Sequence, residues 1–296
     1  MKFSNPLVTV LMPVYNGEKY LSQAVESILN QTFRNFEFLI IDDCSNDQSI
    51  NIIKSFKDDR IQLEKNKRNI GQTLTLNKGL SLAKGEFIAR LDQDDISNYN
   101  RLELQTDYLK KYPDVVLLGS SIKIINSDNQ VMFKRKAFKD KLISYSSIDN
   151  PVPHSSAIYR KDIALQLNGY SKDYKICQDF DLWLRMANND NIDNLDEYLV
   201  SVRFHKGQTL KNKNISELHS VEIVNVYNYL INNFKIPNYS RNLVNIKLLL
   251  YDKSISRNQI ILYIIKNIHN IIFNKYYWIK LKFNFQQWFH SKYNHL

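Results

Sequence analysis

The sequence predicts an α/β fold: a mostly parallel, doubly wound central sheet flanked by helices, with a C-terminal helical extension. Three observations predict it. Short apolar runs rich in β-branched residues alternate with segments whose apolar residues recur at helical spacing, the pattern of successive βαβ units. Two of the runs end in clustered carboxylates, Asp42-Asp43 and Asp92-Gln93-Asp94-Asp95. In a parallel sheet both would lie on one carboxyl edge, where open α/β sheets bind ligands. From about residue 211 the composition shifts to Asn, Lys, Ile and Tyr, which divides the chain into a domain over 1–210 and an extension over 211–296.

Leu7 to Asn16 is an apolar run closed by Pro13 and Asn16, hence a buried strand. After a loop containing Gly17, the spacing of Tyr20, Leu21, Ala24, Val25, Ile28 and Leu29 predicts a helix ending near Asn30. Phe36 to Ile41 is a second strand and Ser49 to Phe56 a helix. Ile61 to Glu64 is a short strand, Thr73 to Ala83 a helix stopped near Gly85, and Phe87 to Leu91 a fourth strand. A helix runs from Asn100 to Lys111 and stops at Tyr112-Pro113. Val115–Gly119 and Ile122–Ile125 are expected as two strands, separated by the turn Ser127-Asp128-Asn129 from Val131-Met132-Phe133. Ala157 to Tyr159 is a strand, Leu182 to Met186 lies in a helix, and Leu199 to His205 is the last strand.

The chain has 296 residues, 44% of them hydrophobic, enough for one large domain with an appendage. Its two cysteines, Cys44 and Cys177, lie far apart with no CxxC partner, so no disulfide framework is expected. The N-terminal residues run straight into the first strand without the apolar core of a signal peptide. A cytoplasmic location is the expectation. Residues 211–296 hold 12 Lys+Arg against 3 Asp+Glu, nine of the ten net positive charges, so the two parts face different partners.

The first strand is followed by Tyr15-Asn16-Gly17-Glu18-Lys19-Tyr20, which is not GxGxxG, and no Walker GxxxxGK[ST] occurs. Nicotinamide oxidoreductases and P-loop NTPases are thereby disfavoured. Asp92 and Asp94, two residues apart, can turn their oxygens toward one point, while Asp95 can bond backbone or a sugar hydroxyl. Hard oxygen ligands suit Mg²⁺ or Mn²⁺, which suit phosphate oxygens. The plain alternative is an acidic turn capping the next helix through Asp95 or Ser97. Asp42 or Asp43 could bond a nucleoside, or simply cap the helix that follows Ser45.

Five ordered blocks carry a resemblance: Val8 to Asn16; Ile41 to Asp47; Arg68-Asn69-Ile70-Gly71 with Leu76-Asn77-Lys78-Gly79-Leu80; Ala83 to Ile88; and Leu91 to Asp95. In order and spacing they are similar to the family 2 glycosyltransferases, over roughly residues 7–205. The resemblance implies a Rossmann-like GT-A fold and inverting transfer of a sugar from a nucleotide donor, UDP first among candidates. It implies that Pro13, Tyr15, Asn16, Asp42, Asp43, Arg68, Asn77, Asp92 and Gln93 hold the nucleotide-sugar. Asp94 is the preferred ligand of a divalent cation, Mn²⁺ or Mg²⁺, and Asp95 a site-shaping partner. Cys44 stands where glycine is common in the family's acidic turn.

Asn150-Pro151-Val152-Pro153-His154 resembles the family's acceptor-side Asn-Pro-x-x-His block, which implies a site role for His154. Asp179 and Asp181 open a helix, where its dipole favours carboxylates, and Cys177 to Arg185 resembles the family's acidic catalytic motif. There Asp179 falls on the general base, Gln178 stands where Glu is common, and Asp181 orients the helix. The close Val202-Arg203-Phe204-His205 resembles Tyr-Arg-x-His, with His205 reaching metal or diphosphate and Arg203 supporting it. An inverting transfer then needs one in-line displacement, with Asp179 taking the acceptor proton.

In the extension, Ile260, Ile261, Ile264, Ile265, Ile268, Ile271 and Ile272 trace a helical stripe too polar and interrupted for a bilayer span. Aromatics then interleave with lysines from Tyr276 to Phe289, which suits an anionic membrane surface and equally a helical pack on the catalytic domain. No nucleic-acid motif accompanies the charge. The expected partners are a nucleotide-sugar and a saccharide or lipid-linked acceptor of surface polysaccharide synthesis, such as capsule or lipopolysaccharide, on the inner face of the membrane. The rival readings are a nucleotidyltransferase with a similar sheet, and an inactive sugar-nucleotide binder or membrane scaffold.

Overall fold

The seven residues of β1 (Val8–Val14) are all buried, as expected of a strand covered on both faces. A computed structural model describes residues 5–139, 142–187, 191–205, 213–251, 259 and 262. By their contacts the residues divide into two compact units, Met1–Lys139 with Val152–His205, and Asp140–Pro151 with Lys206–Leu296.

In the first unit β1 pairs in parallel with β2 (Phe36–Asp42) on one side and β4 (Phe87–Arg90) on the other. β3 (Ile61–Lys65) extends the parallel set beyond β2. Helices α1 (Leu21–Leu29), α2 (Ser49–Ser55) and α3 (Gln72–Leu82) make the crossovers. The apolar stripe of α1, Leu21, Ala24, Val25 and Ile28, is fully buried, in one core cluster with Val10, Met12, Phe38, Ile40 and Ala89. Each of the Leu, Val, Ile, Met and Phe side chains among them contributes about 1.5–3 kcal/mol through removal from water.

Beyond β4 the sheet becomes mixed. β8 (Ile158–Arg160) runs antiparallel to both β4 and β6 (Leu117–Ile125), and β9 (Ile192–Arg203) runs parallel to β6. The edge strand β5 (Ile96–Ser97) and β7 (Val131–Arg135) pair antiparallel with β9 and β6. The order is β3-β2-β1-β4-β8-β6-β9-β5, with β7 on β6. Val115–Gly119 and Ile122–Ile125, expected as two strands, belong to the single β6. Ser120 and Ser121 are buried without ending it, and the irregularity shows as a register shift against β9 at Ser120–Ile122. Helix α4 (Arg101–Lys111) ends before Pro113, and α6 (Lys161–Gln166) and α7 (Gln178–Met186) follow β8.

Because β1, β2 and β4 are parallel and in register, with Val14 beside Asp42 and Leu11 beside Arg90, both acidic strand ends fall on one sheet edge. Cys44 adopts φ 67° in the turn after β2, so the left-handed conformation normally given to glycine is kept at a cost of roughly 1–2 kcal/mol.

The second unit contains α5 (Leu142–Tyr145), α8 (Lys213–Asn233) and α9 (Asn238–Tyr251), with Pro237 between the two long helices. Ser240 Oγ donates to Ser144 O at 3.4 Å, and Lys247 Nζ to Tyr227 Oη at 2.6 Å and to Ile148 O. Among the described residues no helix is long and apolar enough to cross a membrane. The isoleucine stripe, Ile260 to Ile272, and the aromatic–lysine segment, Tyr276 to Phe289, lie outside the described residues.

Candidate active site

The strand β4 ends in Arg90, a guanidinium with no exposure to solvent. A buried cation needs partners, and Arg90 has four. Nη1 donates to Leu11 O and to Leu91 O (3.2 Å), Nη2 to Asp92 Oδ1 (2.7 Å), and Nε to His154 Nε2 (3.0 Å). Ser155 Oγ reaches Asp92 Oδ2 at 3.2 Å and accepts from Asp92 N at 3.1 Å. Burial favours the neutral form of Asp92, but the Arg90 charge overcomes it and holds this carboxyl below the usual carboxylate range.

The next two carboxyls behave oppositely. Asp94 Oδ2 lies 2.8 Å from His205 Nε2, and burial followed by the charge of Asp92 raises its pKa. Asp95, 3% exposed, accepts from Arg203 N at 2.8 Å. Burial, then Asp94 and Asp92, push it well above the usual range. Arg203 is fully buried and donates to Asp94 O (2.9 Å), Asn126 O (3.0 Å) and Gln23 Oε1 (3.0 Å), with its guanidinium 4.4 Å from the Tyr20 ring. The end of β9 thus holds Asp94 and Asp95 through Arg203 and His205.

Gln93 ties this segment to the end of β1. Its Oε1 accepts from Tyr15 N at 2.8 Å and its Nε2 donates to Tyr15 O at 3.1 Å. A Cβ on Gly17 would lie 2.5 Å from that same Oε1, so glycine admits the contact. Tyr15 is exposed, Pro13 is buried in β1, and Asn16, at φ 50°, accepts from Asn46 N at 2.8 Å.

Asp42, the last residue of β2, and Asp43, the first residue after it, are both buried. Asp42 accepts from Ser45 N at 3.2 Å. Asp43 accepts from Asn66 Nδ2 (2.8 Å), Ile70 N (2.9 Å) and Gly71 N (2.8 Å), which shapes the loop that carries exposed Arg68 and starts α3. Asn77 is committed in both directions to one residue: Nδ2 donates to Tyr170 O at 2.7 Å and Oδ1 accepts from Tyr170 N at 2.8 Å. Gly169, at φ 65°, lets this contact form, since a Cβ there would lie 2.4 Å from Asn77 Oδ1.

Asp179 stands half-buried in the first turn of α7, its Oδ1 accepting from Phe180 N at 2.8 Å. Asp181 forms an ion pair with Arg185 at 2.6 Å while burial raises its pKa, and Arg185 also donates to Leu167 O and Gly169 O at 2.8 Å. The two acidic segments are joined by one side chain. Gln72 Nε2 donates to Asp92 Oδ1 at 3.3 Å, and Gln72 Oε1 accepts from Gln178 Nε2 at 3.2 Å. His154 is enclosed by Arg90, by Tyr170 Oη at 3.1 Å from Nε2, and by the Trp183 ring with centroids 5.9 Å apart.

No local pattern in the sequence assigns a site role to the side chains of Gln72, Ser155 or Tyr170, or a partner to Arg90. Arg90 alone carried a signal: a permanent cation closing a buried apolar strand must be paired. Among the described residues no group of three or more His, Cys, Asp or Glu is arranged around one point to hold an ion.

Against known proteins, the description of Glycosyl transferase family 2 matches residues 9–167. The chain is 31% identical over 218 residues to the UDP-Gal:alpha-D-GlcNAc-diphosphoundecaprenol beta-1,3-galactosyltransferase of Escherichia coli, covering 70% of this chain and 77% of that one. The crystal structure of S. aureus TarS 1–349 in complex with UDP-GlcNAc is similar with a TM-score of 0.63 at 22% identity, over 87% of this chain and 74% of that one. A mannosyltransferase from Pyrobaculum calidifontis, in complex with GDP-Man and Mn²⁺, is similar with a TM-score of 0.60 at 15% identity, over 98% and 88%. At those identities the structural likeness carries the fold, a GT-A-like mixed sheet flanked by helices.

Proposed function

The chain belongs to glycosyl transferase family 2 and is a glycosyltransferase, and from that premise we propose that it moves a sugar, with inversion, from a UDP-sugar to a saccharide or lipid-linked acceptor in surface polysaccharide synthesis. One observation carries this reading: Gln72 joins Asp92, on the edge where the donor would bind, to Gln178, the neighbour of Asp179. A carboxylate that can take the acceptor proton therefore begins its helix one amide away from the donor carboxylates.

The residues present fit a divalent cation. Asp94 supplies a hard oxygen whose charge burial and Asp92 disfavour, a state that a cation relieves, and His205 Nε2 stands beside it. One carboxylate and one imidazole leave the remaining positions to phosphate oxygens and water, the usual arrangement for ions that bind nucleotide phosphates. Asp94 and His205 would hold the ion, which when bound would offset the charge gathering on the departing diphosphate. A metal-bound mannosyltransferase of the same fold supports this.

The protein's own residues do the rest. Asp92, kept ionised by Arg90, accepts from a hydroxyl of the donor. Asp179 takes the proton of the acceptor hydroxyl as that hydroxyl's oxygen attacks the anomeric carbon, the bond to the diphosphate breaks on the opposite face, and no covalent enzyme intermediate forms. Asp42, Asp43 and the loop they shape frame the nucleoside side. The basic extension, residues 211–296, would seat the enzyme on an anionic membrane surface, consistent with the diphosphoundecaprenol named for the E. coli relative.

Calorimetry with UDP-, GDP- and dTDP-sugars, each with and without MnCl₂, tests the donor assignment. The expected result is binding of a UDP-sugar that strengthens with Mn²⁺. Indifference to every nucleotide contradicts it.

A further inference from the structure

Arginine has no lone pair, so Arg90 Nε, 3.0 Å from His154 Nε2, is the donor of that hydrogen bond. His154 Nε2 is therefore the unprotonated nitrogen of a neutral ring, whose proton sits on Nδ1. The same Nε2 lies 3.1 Å from Tyr170 Oη, and with no proton of its own it can only accept there. Tyr170 Oη lies 3.1 Å from Tyr159 Oη in turn, and since the Tyr170 proton points at His154, Tyr159 donates to Tyr170. The direction of the whole chain, Tyr159 to Tyr170 to His154 with Arg90 donating from the other side, follows from one permanent cation.

The surroundings leave the ring little freedom. Tyr170 and Trp183 meet it edge-on at 5.7 and 5.9 Å between centroids. Burial, then the Arg90 charge, push its pKa down to about 3, in keeping with a ring that accepts two hydrogen bonds at one nitrogen. Arg90 meanwhile directs three of its four other N–H donors to Leu11 O, Leu91 O and Asp92 Oδ1.

We propose that His154 is a positioning residue of the donor side: by accepting from Arg90 Nε it fixes the guanidinium that aims Asp92. The expectation drawn from the Asn-Pro-x-x-His block placed it on the acceptor side instead. Nε2, committed to two donors, cannot also receive an acceptor hydroxyl. Without the histidine, Arg90 Nε would be left buried and unpaired, and the guanidinium could rotate away from Asp92. The inference rests on the reading of Asp92 as a donor contact.

The test uses the full chain and three variants, His154→Leu, His154→Gln and Tyr170→Phe, with UDP-galactose, UDP-N-acetylglucosamine and GDP-mannose as probes in MnCl₂. Glutamine can present a carbonyl to Arg90 Nε. Losing a hydrogen bond to a charged donor corresponds to about tenfold or more in affinity. His154→Leu is expected to weaken donor binding about tenfold or more with the acceptor KM unchanged, and His154→Gln to restore most of it. Tyr170→Phe removes one of the two donors and is expected to leave Arg90, and hence donor affinity, within about threefold. Histidine ¹⁵N spectra of the wild type should show His154 protonated at Nδ1.

The inference is overturned if the wild type binds a donor and His154→Leu binds it equally well, or if the acceptor KM alone rises. A ring protonated at Nε2 overturns it independently of any donor. Wild type that binds no probe, with His154 protonated at Nδ1, instead removes the donor reading of Asp92 and the role proposed for His154 with it.

Discussion

His205 Nε2 and Asp94 Oδ2 meet at 2.8 Å although 111 positions separate them in the chain. The contact is built by β5, which pairs Ile96 and Ser97 with Ser201 and Val200 of β9, so the residues just before β5 and just after β9 lie side by side. Asp94→Asn is expected to remove most of the Mn²⁺ enhancement of donor binding, and His205→Ala to reduce it by a smaller factor, since a carboxylate carries the charge an ion needs. Calorimetric titration of UDP-sugar at several Mn²⁺ concentrations reads both.

Asp43 and Asn77 sustain the loops around the site. Asp43 holds Asn66, Ile70 and Gly71, and Asn77 holds both backbone groups of Tyr170. Asp43→Ala leaves Ile70 N without its acceptor, and Asn77→Ala removes the partners of both Tyr170 N and Tyr170 O. Each is expected to lower stability by about 1–3 kcal/mol, measured by urea denaturation. Asp58→Ala, which loses a partly exposed pair with Arg60, should cost less.

The acid side of the stability profile carries the signature of His154. Its pKa is about 3 in the folded protein and near the ordinary value of about 6.5 when unfolded. Between those values the unfolded chain binds one more proton, so stability rises with pH across this window. This contribution is complete above about pH 6.5 and is lost progressively as pH falls toward 3. His154→Gln removes the titrating group, so its stability between pH 6.5 and 4 should fall less steeply than that of the wild type in parallel urea titrations.

Gln72 is the side chain shared by Asp92 and Gln178. Gln72→Ala is expected to lower kcat about tenfold, the scale of one or two hydrogen bonds to charged or buried groups, with donor affinity changed by less. Stopped assays of product formation alongside donor calorimetry separate the two effects.

The first four strands and three crossover helices were legible because each depends on local pattern: continuous apolar runs at β1, β2 and β4, and the α1 stripe from Leu21 to Ile28. The placement of Asp42–Asp43 and Asp92–Asp95 on one edge followed from parallel order alone. The mixed half was not legible, since nothing local says that Ile158–Arg160 inserts antiparallel between β4 and β6. Nor did composition indicate that Asp140–Pro151 groups with the second unit. Within the site, the carboxylates stood out by clustering. Their partners did not, because Gln72, Ser155 and Tyr170 are ordinary residues whose roles arise only when distant loops meet. Gln72 and Gln178 are 106 positions apart, and Ser155 and Asp92 are 63 apart.

Asp179→Asn tests the central claim most directly, through donor affinity by calorimetry and sugar transfer by product formation on the same preparation. Asparagine keeps the size and the acceptor oxygen that meets Phe180 N but cannot take a proton. A positioned general base contributes about 10²–10⁴ in rate. The predicted result is donor affinity within about threefold of wild type and transfer slower by about 100-fold or more. Transfer at the wild-type rate would contradict the assignment of Asp179 as the base.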